Sequence, residues 1–375
     1  MTTLAPIQGR LSNPNPCIQG LGRKPNKILL LGEAPGETEQ RLGIPFCGSS
    51  GKELDRMLAE AGIPTGEVYK TNVFWTRPLN NDLKSIFIPS LEWKATYGST
   101  TSPGTSGISY RIENKVHLLP PAFQTELTRL YEEIEQCNPN LIVALGNTAL
   151  WSLTGRQNIS SVRGTVLPSS TLSKQRKLLP TYHPAAVQRQ WDLRAITIAD
   201  LVKAKRQAEF PEIRRPQRFV LCSPTLSDLE TWFSSLMEQR PSALAVDVET
   251  RNGQITEIGF ASSPSSALVV PFIKNYQTHY WPTAEEETKA LAIVEAILQS
   301  DIPKVFQNGL YDLQYIWRTW RFTPRACVHD TMIKHHSLFP EVQKGLGFLG
   351  SLYTDEPAWK FMRREKQTEG KRDDE

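Results

Sequence analysis

Residues 27–40 read KILLLGEAPGETEQ, and this stretch decides the fold of the first half of the chain. The apolar run from Ile28 to Leu31 does not alternate with polar residues, so it reads as a strand buried on both faces. Gly32 and Gly36 then allow a sharp turn, which leaves Glu33 and backbone amides pointing into a pocket where the strand ends. Working outward, VYKTNVFW (68–75) and LIVALG (141–146) read as two more buried strands. A helix from Gly51 places Leu54, Met57, Leu58 and Ala61 on one face. A second helix turns Leu127, Leu130, Tyr131, Ile134 and Cys137 inward and leads straight into LIVALG. Strands alternating with helices in this way predict an α/β fold, a three-layer α/β/α sandwich on a mostly parallel sheet.

The full 375 residues exceed one ordinary core, so two domains are expected. At RQAEFPEIRRP (206–216) apolar periodicity gives way to charge and proline, as in an interdomain linker. The expected division is a first domain over 1–209, a linker over 210–216 and a second domain over 217–375. The charged tail from about residue 361 reads as disordered. Between Asn80 and Pro120 the pattern breaks down around YGSTTSPGTSG (97–107), which reads as a mobile surface insertion without a core. After the linker, RFVLCS, ALAVDVET, ITEIGFAS and ALVVPF are successive strands. A helix through Leu291, Val294 and Leu298, the strand KVFQN and a helix from Gly309 follow, giving a second α/β fold with a mixed sheet.

The composition, 39% hydrophobic and 22% charged, is that of a globular protein, and no apolar run is long enough to span a bilayer. No membrane association and a cytoplasmic location are expected. A net charge of +4 suits a polyanionic partner without selecting one. The five cysteines are scattered with no CxxC pair, which argues for reduced thiols over a zinc site or disulfide framework.

Four segments of the first half carry polar residues where strands run out, the usual ligand position in an open α/β sheet: LLLGEAPGETE, GIPFCGSSG, YKTNVFWTRP and PTYHPAAVQR. Phe46 precedes Gly48 and Gly51, so its ring lies beside a loop that can approach a ligand closely, and a flat base could stack there. Asn72 ends a strand with both a donor and an acceptor, the combination that pairs with a pyrimidine edge. His183, before Pro184, could donate to an oxygen that gains negative charge.

The order and spacing of GEAPG, PFCGSSG, TNVFWTRP, LIVALGNTAL and YHPAAVQR resemble the uracil-DNA glycosylase superfamily, in particular its thermostable family 4, over roughly residues 27–205. The resemblance implies roles. Glu33 orients or activates the attacking water, Phe46 stacks on the flipped uracil and Asn72 reads its edge. His183 stabilises the departing uracil anion, while Gly48, Arg189 and backbone amides near Pro184 hold the DNA backbone. Family 4 enzymes carry an iron-sulfur cluster on four cysteines. This chain lacks the N-terminal pair and has Trp75 and Thr76 where a strand-end cysteine is expected, so the cluster is predicted absent and the glycosylase half needs no cofactor.

In the second half, Asp247 and Glu249 are two apart on a strand and project from one face. Asn308 and Asp312 open a helix whose apolar face reads as Leu310, Leu313 and Trp317, with Asp312 on a different side. Such carboxylates could converge on divalent ions for phosphodiester cleavage. DVET, NGLYDLQ and VHDTMIKHHSLFP resemble the 3′→5′ proofreading exonuclease of family A DNA polymerases, a member of the DEDD group with a ribonuclease H-like fold. The resemblance implies Asp247, Glu249 and Asp312 as ligands of Mg²⁺ or Mn²⁺, and a mainly structural role for Asp330. The third motif, a Tyr or His four residues before the last Asp, has no match. The domain therefore reads as incomplete, either continued by a downstream polymerase or completed by another chain.

The leading reading is a uracil-DNA glycosylase joined to a partial exonuclease in a bacteriophage replication or repair protein acting on single-stranded or primer-template DNA. Two others fit the same residues: a non-catalytic DNA-binding scaffold, and the N-terminal part of a polymerase with a vestigial glycosylase fold.

Overall fold

The computed structural model describes residues 17–97, 108–170, 175–275 and 278–356. By contacts the chain divides into one unit of Met1–Arg214 with Gly350–Glu375 and a second of Arg215–Leu349. Among the described residues no helix is long and apolar enough to cross a membrane.

In the first unit, strands β1 (Ile28–Gly32), β2 (Val68–Asn72), β3 (Ile88–Pro89), β4 (Ser109–Ile112), β5 (Lys115–Leu118), β6 (Leu141–Leu145), β7 (Leu167–Pro168) and β8 (Lys177–Thr181) form two sheets. The main sheet runs β2-β1-β6-β8-β7, parallel except for β7 against β8. Every residue of β1 is buried, as the unbroken apolar run requires. Alternate strand residues feed two cores. Leu29, Leu31, Ile142 and Ala144 pack on one face with helix α1 (Pro121–Cys137), and Leu30, Val143 and Leu179 pack on the other with α2 (Ser49–Glu60) and α3 (Leu193–Gln207). The expected three-layer α/β/α arrangement is present.

The described ends of the segment between Asn80 and Pro120 differ from the surface insertion expected there. They form the small sheet β3-β5-β4 and bury Ile86, Phe87, Trp93, Tyr110 and Leu119. Phe87 stacks on Tyr110 at 4.9 Å, and Tyr110 meets Trp151 edge-on at 5.1 Å. Aromatic residues dispersed along an irregular sequence thus enter the main core, which a periodicity argument does not register. Residues 98–107, most of the Gly/Ser/Thr run, lie outside the described residues, as does the tail expected from about 361.

The boundary residues are tied to the first unit more firmly than a free linker. Lys177 Nζ donates to the carbonyl of Glu212 at 3.0 Å, and Arg214 lies over the Phe210 ring at 3.8 Å. The expectation that everything after 216 belongs to the second domain also needs revision. The buried Lys203 ammonium donates to the carbonyls of Gly164 and Thr354, both at 2.7 Å, and to that of Ser351. A buried cation that needs carbonyl partners draws residues 351–354 back to the first unit.

In the second unit, β9 (Phe219–Leu221), β10 (Leu244–Arg251), β11 (Gln254–Ser263), β12 (Ser266–Pro271), β13 (Ile273–Lys274), β14 (Thr278–His279), β15 (Lys304–Phe306) and β16 (Cys327–Asp330) appear in turn. The main sheet is ordered β16-β15-β10-β11-β12-β9. Its β10-β11-β12 meander is antiparallel, while β15 and β16 add in parallel beyond β10. This is the mixed sheet of an α/β fold that the strand and helix order predicts.

One helix face differs in part from the expectation, since Leu313 packs against the core but its two companions do not. In α4 (Gly309–Trp320), Leu310 and Trp317 are exposed, and the buried residues are Gly309, Asp312 and Ile316. Asp312 turns inward because its Oδ1 accepts the Val248 backbone N–H at 2.9 Å. A buried strand amide outweighs the apolar count of the helix surface.

Arg163 and Asp200 form a fully buried ion pair in the first unit. Arg163 Nε donates to Asp200 Oδ2 at 2.9 Å, Nη2 donates to Oδ1, and Thr181 Oγ1 donates to Oδ2 at 2.7 Å. Asp200→Ala leaves the guanidinium buried without its carboxylate and should destabilise this unit by roughly 3–5 kcal/mol. The joint replacement Arg163→Met with Asp200→Leu should recover most of that loss. Urea midpoints of the three proteins check both statements.

Candidate active site

The parallel strands β1, β2, β6 and β8 end on the same side of the sheet, and the loops after them enclose a cavity of about 590 Å³. Glu33, Phe46, Gly48, Asn72, His183 and Arg189, predicted from separate segments, all line it. Phe46 has a left-handed backbone, φ 57°, which throws its ring back against β1. Two glycines make room. A Cβ on Gly32 would stand 2.3 Å from Asn72 Oδ1 and 2.7 Å from the Phe46 ring, and one on Gly51 would stand 1.8 Å from the Phe46 carbonyl oxygen. The Asn72 side chain is buried at the strand end, and among the described residues its amide makes no hydrogen bond to protein.

Burial pushes the Glu33 carboxyl up, opposed by a hydrogen bond from Thr148 and by the charge of Arg189. Thr148 Oγ1 donates to Glu33 and lies 3.2 Å from Tyr110 OH, so the carboxylate is held by a short polar chain. His183 caps the helix Pro184–Arg189, its Nδ1 accepting from Ala185 N–H at 3.2 Å. Burial, and then the charge of Arg189, bring its pKa down to about 4. The imidazole is therefore neutral near pH 7, and because Nδ1 accepts, its one proton is on Nε2. The site thus offers a neutral Nε2–H donor, a carboxylate, a buried aromatic ring and an unengaged amide around one cavity.

Tyr110, Thr148 and Glu39 were not anticipated. Tyr110 arrives from the segment read as an insertion and carried no local signal. Thr148 follows the glycine at the end of LIVALG, where an N-terminal hydroxyl could have been noticed. Glu39 sits three residues after Gly36, the spacing of a carboxylate that reaches back to its own helix start. Its Oε2 accepts Gly36 N–H at 2.6 Å, and backbone hydrogen bonds from Gly36, Gly48 and Phe46 oppose the upward push of burial on its pKa. The Gly48 amide is thereby engaged by Glu39.

In the second unit, Asp247 and Glu249 project from the exposed face of β10 between buried Val246 and Val248, as alternation predicts. Burial and then the neighbouring Asp247 charge push Asp312 up to about 6. Among the described residues, however, no three His, Cys, Asp or Glu side chains come together to hold a metal ion. Of the residues expected as ligands, Asp312 gives its Oδ1 to the Val248 N–H on β10 and lies near enough to Asp247 to feel its charge. Asp330 accepts backbone N–H groups of Gly309 at 2.7 Å and Met332 at 2.8 Å, which fits the structural role expected of it. The five cysteines are unpaired and differ in burial, Cys137 buried and Cys17 exposed, and they do not fit a four-thiolate cluster.

Comparison with known proteins bears on both halves. Residues 19–213 match the family model described as the uracil DNA glycosylase superfamily. The type-4 uracil-DNA glycosylase of Thermotoga maritima is 34% identical over 192 residues, 50% of this chain and 81% of that protein. The DNA polymerase of Bacillus phage SP01 is 22% identical over 352 residues, which cover 86% of this chain and 34% of the polymerase. Escherichia coli RNase D, a solved structure described as an exoribonuclease involved in structured RNA processing, shares 15% identity. The match spans 38% of this chain and 34% of that one, with a TM-score of 0.27.

The depressed His183 pKa has a sign that can be checked. The imidazole protonates near 4 in the folded protein and near 6.5 in the unfolded chain. As pH falls the unfolded chain takes up the proton first, so stability is fully present above the unfolded value and is lost toward the folded one. His183→Gln should therefore lose less stability than the parent between neutral pH and about pH 4, by at most about 3 kcal/mol. The His183 Hε1 resonance should not titrate above about pH 5. Denaturant midpoints and proton NMR test the two parts separately.

Proposed function

Because the chain belongs to the uracil-DNA glycosylase superfamily, we propose that it hydrolyses the N-glycosidic bond of deoxyuridine in DNA, with the cavity below Glu33 and His183 as its active site. The observation that carries this reading is the neutral His183 in the cavity lining, whose capping bond at Nδ1 leaves Nε2–H as its donor. Uracil leaves with the bonding electron pair, and the sugar left behind gains oxocarbenium character. A donor aimed at O2 of the departing base stabilises the developing anion, and a neutral imidazole does so without having to lose a proton first. In this reading the Glu33 carboxylate, which lines the same cavity, stabilises the sugar cation, orients water toward C1′ and accepts the proton that water releases. Its burial-raised pKa makes it a better base. Phe46 stacks on the extruded base, and the Asn72 amide pairs with its polar edge. Arg189 meets phosphate beside the cavity, and the Gly48 loop lets the backbone come close. The products are free uracil and an abasic site.

For the second unit we propose an exonuclease-type module of a longer replication polypeptide. The similarity to a phage polymerase extends across both units of the chain and supports this reading. Among the described residues no three His, Cys, Asp or Glu side chains gather into a metal centre in this unit.

With a uracil-containing oligonucleotide and alkali as the readout, the protein should produce strand breaks at uracil in single-stranded and mismatched DNA, and EDTA should not abolish them. His183→Gln should lower kcat by about 10²–10³, the range for removing one anion-stabilising donor. Uncleaved oligonucleotide at enzyme excess overturns the reading.

A further inference from the structure

Helix α1 buries more than its apolar face. Glu126, Arg129 and Glu133 recur along one line of it at helical spacing, and none of the three lines the cavity. Charged groups removed from water require a partner for each, and apart from the Arg129–Glu133 pair itself the partners here lie on one short stretch of chain. Glu133 accepts Tyr69 OH at 2.5 Å, Thr71 Oγ1 at 2.8 Å and Arg129 Nη1 at 2.6 Å. Arg129 Nη2 donates to the carbonyls of Asn72 at 3.1 Å and Val73 at 2.8 Å, and the guanidinium lies over the Trp75 ring at 4.2 Å. Glu126 accepts the Trp75 backbone N–H and, at 3.0 Å, Thr76 Oγ1. Three side chains of one helix thus hold the chain from residue 69 to residue 76. Asn72 sits in the middle of this stretch and turns its amide to the cavity.

We infer that Glu126, Arg129 and Glu133 form a charged clasp that sets the position of the Asn72 amide, with Arg129 as the principal positioning residue for base recognition. The inference rests on the uracil-excision reading above. Arg129 fits the task because its planar fork bonds two successive carbonyls and Glu133 at once, so the strand end cannot rotate without breaking several charge-assisted bonds. A lysine supplies the charge but not the fork. A displaced Asn72 pairs poorly with the base edge as the bond breaks, whereas phosphate contacts on the other loops are unaffected. The loss should therefore fall on kcat and not on KM.

The experiment compares Arg129→Lys, Arg129→Met and Glu126→Gln with the parent chain. Arg129→Lys should fold, lower kcat for uracil release by about tenfold and leave KM for the oligonucleotide within about twofold. Arg129→Met should lose about a hundredfold. In both, the Asn72 side-chain amide resonance should shift and affinity for free uracil should fall. Glu126→Gln, which keeps an acceptor for one of its two donors, should give a smaller change of the same kind and serves if the Arg129 variants do not fold. A folded Arg129→Lys protein with parental kcat and an unmoved Asn72 resonance overturns the clasp. So does a loss that only tracks the folded fraction. Failure of the parent chain to release uracil would overturn the proposed function instead, and the Asn72 resonance, read without DNA, would still decide the clasp.

Discussion

The pocket depends on how closely three pieces of backbone and side chain approach one another at the end of β1. Gly32, Asn72 Oδ1 and the Phe46 ring meet there with no space for a single methyl group. That approach places an aromatic face and a buried side-chain amide on the same wall. It also explains the left-handed turn at Phe46 and the bare backbone at Gly51, since both are consequences of bringing the ring inward. The sheet sets the direction of everything else, because parallel strands that end together deliver their following loops to one side.

At this site the interactions that build the fold also prepare the chemistry. The Ala185 amide needs an acceptor at a helix start, and His183 supplies it. That same bond selects the tautomer with its remaining proton on Nε2. Burial, which completes the core, keeps the ring neutral and raises the Glu33 carboxyl. In the second unit the Val248 amide captures Asp312 in a similar manner, and the bond holds that carboxylate against β10 near Asp247. Asp330 is occupied likewise by the helix starts at Gly309 and Met332.

The end of β2 illustrates how a polar network can serve where a core cannot. Residues 72–76 run off the sheet, where no further strand fixes their carbonyls. The charged line on α1 holds the carbonyls of Asn72 and Val73 and the amide of Trp75 instead, with Glu133 buried and Glu126 and Arg129 half-buried. Arg163 with Asp200 and the Lys203 ammonium follow the same rule elsewhere in the first unit.

Much of this was legible from the chain alone. The unbroken run Ile28–Leu31 implied a strand covered on both sides, the alternation around Asp247 implied an exposed pair of carboxylates, and polar residues at strand ends implied a pocket, although the Phe46 segment expected at a fourth strand end instead joins two helices. These are local properties: burial of a strand face follows from the residues of that strand. Tertiary structure decided the rest. Tyr110 reached the pocket from a segment without periodicity, and Asp312 turned inward against the apolar count of its helix. The imidazole tautomer and the roles of Glu126, Arg129 and Glu133 depended on which distant backbone groups lacked a partner. Hydrophobic pattern reports where a segment is buried. It does not report which polar group, tens of residues away, must satisfy an amide or carbonyl once burial has removed water from it.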